Sequence, residues 1–519
     1  MQFTPPHTAE TIFDHAVTSG YPATSLWWPA TFPARLASPI NSIPGLGTPD
    51  IGGKLGVGIL FTANDLGEDA PQKTEILKLI PGANSSQFNG DLIGPAKKQG
   101  GKLVPTTVPF SLTFEDQDSA KFTIAKDNYQ LKLGEWSPVF EISFKMSMLI
   151  SLKAVTRAIL VKGKDEPRLY FLPLQIHPLS SAWPYASPRN FAKKAWQDHG
   201  PFLTLGWPQD TTGLNEGILN DQQFLTLASD IVSTREQVFM SQLESYRDGV
   251  LGIVFDTLDR VQHMFWNNQP DVIEQWYLKL DALIGRIEEK IKATGNQDAQ
   301  LLLLSDHGFE NFNYKVNLNK WLVDEGYLRT YEPDSISLSG VDWYRSQAYA
   351  IGLNSLYLNL SGREGKGQVK LDEKEGLLDQ IRTKLLTWKG PDGKQVVSSV
   401  LTNAEAFDGP IASHGPDLTV GYAPGYRASA ETGTGAWSDQ QIETNNDHWN
   451  ADHCIDPTAV PGVFFSNRGL KGLSAPSYKD IPQLITGKTM KPGAPPIYDE
   501  MSEEDQEAVE DRLKGLGYL

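Results

Sequence analysis

GVLGIVFDTLDRVQHMFW, residues Gly249–Trp266, and QLLLLSDHGF, residues Gln300–Phe309, decide how this chain is read. The first opens on Gly249–Phe255, a continuous apolar run of strand length, the pattern of a strand covered on both faces. The second opens on a run of the same kind, Gln300–Ser305. Between them Ile273, Trp276, Leu280, Leu283, Ile287 and Ile291 recur at three-and-four spacing, which predicts an amphipathic helix from about Pro270 to Thr294. Strand, long helix, strand is a βαβ unit, and it predicts adjacent parallel strands joined by a right-handed crossover. DLTVGY (Asp417–Tyr422) and VPGVFFS (Val460–Ser466) read as two more strands of this sheet. The expected fold class is therefore α/β: a mostly parallel sheet sandwiched by helices, with a β-rich insertion and a smaller α+β insertion.

Working outward, residues 1–65 read as part of the α/β core. They hold a short helix, a strand at Ala23–Trp28, and the loop WWPATFPARLASPINSIPGLGTPD (residues 27–50), which has too many breakers for regular structure. Residues 66–180 alternate apolar and polar in runs such as LVPTTVPFSLTF and RLYFLPLQI, and are expected to form a β-rich accessory module. Residues 181–330 return to the core and contain both quoted motifs. Residues 331–410 read as an α+β insertion, 411–498 as completion of the core, and 499–519 as an acidic C-terminal helix. That last helix has Ser502 as N-cap and Arg512 and Lys514 near its end, complementing the helix dipole.

Composition narrows the function. The 519 residues carry 46 Lys and Arg against 63 Asp and Glu, a net charge of −17, so a nucleic-acid backbone is not an expected partner. A small phosphorylated substrate held by metal ions remains compatible with that charge. One cysteine, Cys454, excludes a disulfide framework and a Cys-rich metal site. No run reaches the ~18 apolar residues of a membrane span. The first residues, MQFTPPHTAE, have neither the basic nor the apolar region of a signal peptide.

In parallel α/β sheets ligands bind beyond the carboxyl ends of the strands. Beyond Gly249–Phe255 stand Asp256, Asp259 and His263; beyond Gln300–Ser305 stand Asp306 and His307. Asp259 and His263, four apart, face the same way on one helical turn. A carboxylate and an imidazole meeting there suit zinc or a similar divalent ion. Asp306 and His307 are neighbours, yet just past a strand end and before Gly308 the chain can turn so that both converge. A lone Asp-x-x-x-His is commonly a solvated surface pair; two such sets in one βαβ unit point to a metal site.

His453, just before an apolar strand, is the candidate for a further ligand, with His448 as its competitor. Asp256 reads as a residue orienting a ligand, and Asp452 and Asp456 are candidates for that role around His453. His414 reads as a loop histidine, and His7, His15, His177 and His199 as structural or exposed.

These residues resemble the alkaline phosphatase superfamily, near its type I phosphodiesterase/nucleotide pyrophosphatase branch. The likeness is to the bacterial group described as predicted phosphohydrolases or phosphomutases. FDTLDRVQHMFW is similar to that family's Asp-x-x-x-His block, LLLLSDHGF to its Asp-His block and DHCIDPTAVPGVFFSNR to its last-histidine block; WWPATFPA and GLGTPD resemble a loop following the nucleophile region. The resemblance implies two divalent ions, zinc first and manganese as the alternative, since carboxylate and imidazole suit both. Asp259, His263 and His453 would hold one ion, and Asp306 and His307 the other with two upstream ligands.

It further implies a small phosphate-ester substrate and a phospho-enzyme formed on a Thr or Ser. That nucleophile would lie upstream of Met1. Thr8, Thr11 and Thr31 are poor substitutes because none is expected to follow a strand sharing the sheet edge. The chain is thus expected to lack its N-terminal segment and to turn over near background; robust hydrolysis would defeat that expectation. A sulfatase relative, a phosphomutase and a non-catalytic metal-binding module are the alternatives. Cys454, followed by Ile-Asp-Pro-Thr, does not supply a sulfatase nucleophile.

Overall fold

The computed structural model describes residues 9–490 except 37, 148–149, 182, 297 and 470–475. The expected helix at 499–519 lies outside the described residues, as do Thr8 and His7. The chain divides into two compact units. Among the described residues the first comprises the chain up to Arg260, Lys279–Ala299 and the stretch from Lys479; the second comprises Val261–Leu278 and Gln300–Tyr478.

The first unit holds the parallel sheet. Its central strand, Ala23–Trp28, pairs in parallel with Val250–Ile253 on one side and Asn41–Pro44 on the other, with Leu26 opposite both Ile253 and Ile43. Before it runs the helix Ile12–Thr18, whose capping box of Thr11 and Asp14 satisfies the first turn. That helix buries Phe13 and Ala16 against Ala23 and Ile40. The Pro/Gly-rich loop therefore contains a strand that its breakers concealed. Asn41–Pro44 needs only four residues, and Gly45 just after it lets the chain pass against Trp27, where a Cβ would stand 2.0 Å from the carbonyl oxygen.

Two readings of this sheet are corrected. Val250–Ile253 pairs with Ala23–Trp28, whereas Leu302–Leu304 pairs antiparallel with Phe464–Ser466, so the two quoted runs are not neighbours in one sheet. Leu303 and Leu304 are also 37% and 43% exposed, so this run is not the doubly covered strand expected. An apolar run reports a preference for burial but says nothing of partner or direction, which distant segments decide. The second correction concerns Thr31. It follows Ala23–Trp28, which does share the sheet with Val250–Ile253; its hydroxyl donates to the Trp28 carbonyl at 2.7 Å.

Also in the first unit, Ile80–Pro81, Gln87–Gln99, Lys102–Phe114, Ser119–Ile124 and Asp127–Lys132 form an antiparallel sheet in that order. Along Lys102–Phe114, Thr106, Val108, Phe110, Leu112 and Phe114 are all buried, the period-two signature of a half-covered strand. Gly100 and Gly101, at φ 59° and 79°, make the two-residue turn into this strand. Phe61, Phe110, Phe122, Phe140 and Phe171 pack ring to ring beneath the sheet. The helix Asp221–Ser245, capped by Asn220 and Gln223, buries Leu227 and Ile231 against Leu60, Ile159 and Tyr170.

The second unit is built on the antiparallel sheet Ala348–Ala350, Ser355–Leu358, Leu418–Tyr422, Val397–Thr402, in that order. Leu378, Ile381 and Leu385 of the helix Lys374–Thr387 enter its core with Leu356, Val400 and Val420. DLTVGY is thus a strand, but of an antiparallel sheet; the core supplies the coverage that its apolar run anticipated. The strand Glu310–Val316 pairs in parallel with Gly425–Ala428 and antiparallel with Ile442–Thr444 and Ala451–Asp452. In VPGVFFS only Phe464–Ser466 is strand, since Pro461 cannot donate to a ladder. The helix anticipated from Pro270 is present as Pro270–Ala293. No described helix is long and apolar enough to cross a membrane.

Candidate metal centre

The helix Thr257–Phe265 begins just beyond the strand Val250–Ile253 and carries both Asp259, in its first turn, and His263, in its last. The i, i+4 spacing aligns them on one face. His263 is 1% exposed, and its Nδ1 lies 2.7 Å from the carbonyl oxygen of Ala451. A carbonyl only accepts, so Nδ1 carries the proton and Nε2 presents its lone pair. Trp449 stacks on the ring with centroids 3.7 Å apart, and Phe309 meets it edge-on at 4.8 Å.

Ala451–Asp452 is a two-residue strand held against Glu310 and Asn311, and the chain leaves it directly into His453. The His453 ring centroid stands 5.2 Å from that of His263 and 3.5 Å from that of His307, stacked on the latter with planes inclined by 11°. The ligand atoms of Asp259, His263 and His453 all lie within 4.8 Å of one another. One carboxylate and two imidazoles so close form a donor set suited to zinc or manganese. Beside Asp259, Arg260 pairs with its carboxylate and lies flat on Trp207, 3.4 Å from the ring centroid.

Asp452 is buried beneath this cluster. Its Oδ1 accepts from the backbone N–H of His453 at 2.7 Å and of Cys454 at 2.9 Å; its Oδ2 accepts from Arg427 at 2.8 Å and Trp449 at 2.9 Å. Burial alone would raise this carboxyl, but the charge of the Arg427 guanidinium and the Cys454 N–H hold it far below the usual carboxylate range.

Asp306 and His307 are only partly gathered in. His307 joins through its stack on His453, and its Nδ1 meets the Gly308 carbonyl at 3.0 Å. Asp306 lies 3.4 Å from His307 Nε2, but its side chain is 86% exposed. Among the described residues this pair belongs to no group of three or more candidate ligands. His448 packs edge-on against Phe265 and takes no part in the cluster of Asp259, His263 and His453. Asp256 touches none of the imidazoles in any described contact; its Oδ1 accepts from Arg235 at 2.6 Å and Gln209 at 2.9 Å. Asp456 accepts from Thr458 and Ser399.

His15, His177 and His199 have partners of their own in Thr486, Glu141 and Ser241. His414 ends a short 3-10 turn. Trp449, Arg427 and Phe309 were not singled out from the sequence. Trp449 could have been noticed for lying four residues before His453; Arg427 gave no local signal.

Comparison with known proteins follows the same lines. The model of the family described as type I phosphodiesterase / nucleotide pyrophosphatase matches residues 173–450, more than half the chain. No curated protein matches.

Proposed function

We propose that the chain, which belongs to the type I phosphodiesterase/nucleotide pyrophosphatase family and so to the alkaline phosphatase superfamily, is a metal-dependent hydrolase of small phosphoric esters. Membership supports phosphoryl hydrolysis and the use of metal, which is typical of the family. The observation behind the finer reading is the convergence of Asp259, His263 and His453. In this reading these three hold one divalent ion, zinc or manganese, and Asp306 and His307 contribute to a second. Divalent ions bound there would polarise the phosphoryl group and neutralise charge developing on its oxygens.

The chain's own residues prepare the site. Ala451 keeps the His263 lone pair on Nε2. Asp452, kept ionised by Arg427, gathers the N–H groups of His453 and Cys454 and so fixes the turn that presents the His453 ring. Trp449 and Phe309 cover His263 and keep water from it. Asp256 joins Arg235 and Gln209 at the end of the Val250–Ile253 strand, bracing the turn into the ligand helix. A phospho-enzyme on a Thr or Ser belongs to the same proposal, although no hydroxyl is assigned to that role.

A second reading, a metal-binding module without turnover, draws on the exposure of Asp306 outside the cluster. Hydrolysis of bis-p-nitrophenyl phosphate and p-nitrophenyl phosphate, with and without zinc or manganese, separates the two. Metal-dependent turnover that Asp259→Asn abolishes supports the hydrolase and overturns the expectation of near-background activity. Metal binding with no turnover on either ester sinks it and leaves the module.

A further inference from the structure

In the first unit the strands Gln87–Gln99 and Lys102–Phe114 run on past the sheet they belong to. Ile80–Pro81 meets the first only at Phe88 and Asn89, and Ser119–Ile124 meets the second only from Phe110 onward. Beyond those points the two pair with each other alone among the described residues, as far as Gln99 opposite Lys102 and the turn at Gly100 and Gly101. The near half of this ribbon is anchored. Leu92, Thr106 and Val108 are buried, and Gly94 lies so close to Phe144 that a Cβ would stand 2.2 Å from its ring. The far half is open to solvent, with Leu103 71% and Val104 37% exposed.

The register puts a lysine beside each of these. Lys98 stands opposite Leu103 and Lys97 opposite Val104, and directly opposed residues share a face. Lys97 Nζ reaches the Lys145 carbonyl at 3.5 Å, which draws the end of the strand Phe140–Lys145 alongside. Lys98, Lys102 and Lys145 are exposed and make no ion pair among the described residues. No Asp or Glu occurs in residues 92–114 or 142–164, and Glu141 is taken up by Lys153 and His177. A chain of net charge −17 thus gathers four cations around two exposed aliphatic side chains at one projecting end.

Lysines on an exposed strand guard against edge-to-edge association, but a guard needs no leucine at the apex. Leu103 amid cations matches a surface that is anionic outside and apolar beneath, as a bilayer of acidic lipid is. Lysine stems lie along such an apolar layer while their ammonium groups stay among the headgroups. A nucleic-acid backbone offers the charge but nothing for Leu103. The acids of the rest of the molecule act weakly at this end, since salt screens them over about 10 Å.

We propose that this hairpin end docks the protein on an anionic lipid surface, resting in the headgroup layer without crossing it. It involves none of the candidate metal ligands and does not depend on the hydrolase reading.

The test is co-sedimentation of the full chain, treated with chelator, with vesicles of phosphatidylcholine containing about 30% phosphatidylserine, against vesicles of phosphatidylcholine alone. Binding to the acidic vesicles is expected at ~0.1 M salt and should fall at ~0.5 M. Lys98→Glu combined with Lys102→Glu should lower the partition about tenfold or more, and Leu103→Ser about fivefold. Lys370→Glu, at an exposed lysine of the second unit, should stay within about twofold of the parent. Circular dichroism checks that these surface variants keep the parent's fold. Equal partition onto the neutral vesicles, no partition onto either, or unchanged partition of the double lysine variant or of Leu103→Ser overturns the proposal. Binding of a duplex oligonucleotide in place of vesicles overturns it in favour of a nucleic-acid site.

Discussion

His307 and His453 lie face to face, ring centroids 3.5 Å apart and planes inclined by 11°. The stack joins the turn after Leu302–Leu304 to the turn after Ala451–Asp452, so residues far apart in the chain present their imidazoles as one surface. It also separates the two histidines that competed for the role of last ligand, since His448 is turned onto Phe265 instead.

Zinc affinity should follow that separation. His453→Ala removes one of three ligands and should weaken zinc binding by about 100-fold or more, the scale at which even residues supporting a ligand act. His448→Ala should stay within about twofold. Competition against a chromophoric chelator measures both; equal losses would reopen the choice between the two residues.

Asp452→Asn leaves Arg427 buried without its carboxylate, since the pair is 2.8 Å apart with side chains 1% and 13% exposed. The expected loss is about 3–5 kcal/mol of stability, as for other broken buried ion pairs. Urea denaturation of the metal-free variant reads it, and a change below about 1 kcal/mol would show the pair to be dispensable.

A separate carboxylate should contribute to acid stability in the second unit. Asp417, its side chain 2% exposed, meets Arg363 at 2.6 Å, Lys374 at 3.1 Å and the Leu358 N–H at 2.8 Å. Burial pushes its carboxyl up, but these partners outweigh it and the net shift is downward. A depressed folded pKa means stability fully present above the unfolded value near 4 and lost as pH falls through the folded one. Asp417→Asn should therefore lower the melting temperature at pH 7 and flatten its decline below pH ~4. An unchanged acid limb would contradict this.

Phe122 is fully buried and meets Phe110, Tyr129, Phe140 and Phe171. Phe122→Ala should cost about 3–5 kcal/mol through lost contacts and a cavity. Chemical denaturation followed by near-ultraviolet circular dichroism would show it, and a loss under about 1 kcal/mol would mean the cluster repacks freely.

What could be read from the sequence was what is local. The helix Pro270–Ala293 announces itself by a period contained within it, and the pairing of Asp259 with His263 needs only one helical turn. The strand Ala23–Trp28 was visible from its own composition, but its partner was not. Leu302–Leu304 looked like a neighbour of Val250–Ile253 because both runs are apolar, and apolarity does not encode which strand pairs with which. His453 was recognisable from its surroundings, yet its approach to His263 depends on Ala451–Asp452 pairing with Glu310–Asn311, a long-range event. Arg427 was invisible for the same reason: a buried ion pair leaves no periodic trace.

The bond from His263 to the Ala451 carbonyl has a consequence for anyone trying to reshape this site. Its acceptor is a main-chain atom, so no codon change at position 451 can delete it without distorting the strand itself. A mutational library aimed at a different cation would find freedom at Asp259 and at His453. The aim of the imidazole at 263 would pass unaltered through every member of such a library, as a constant of the scaffold.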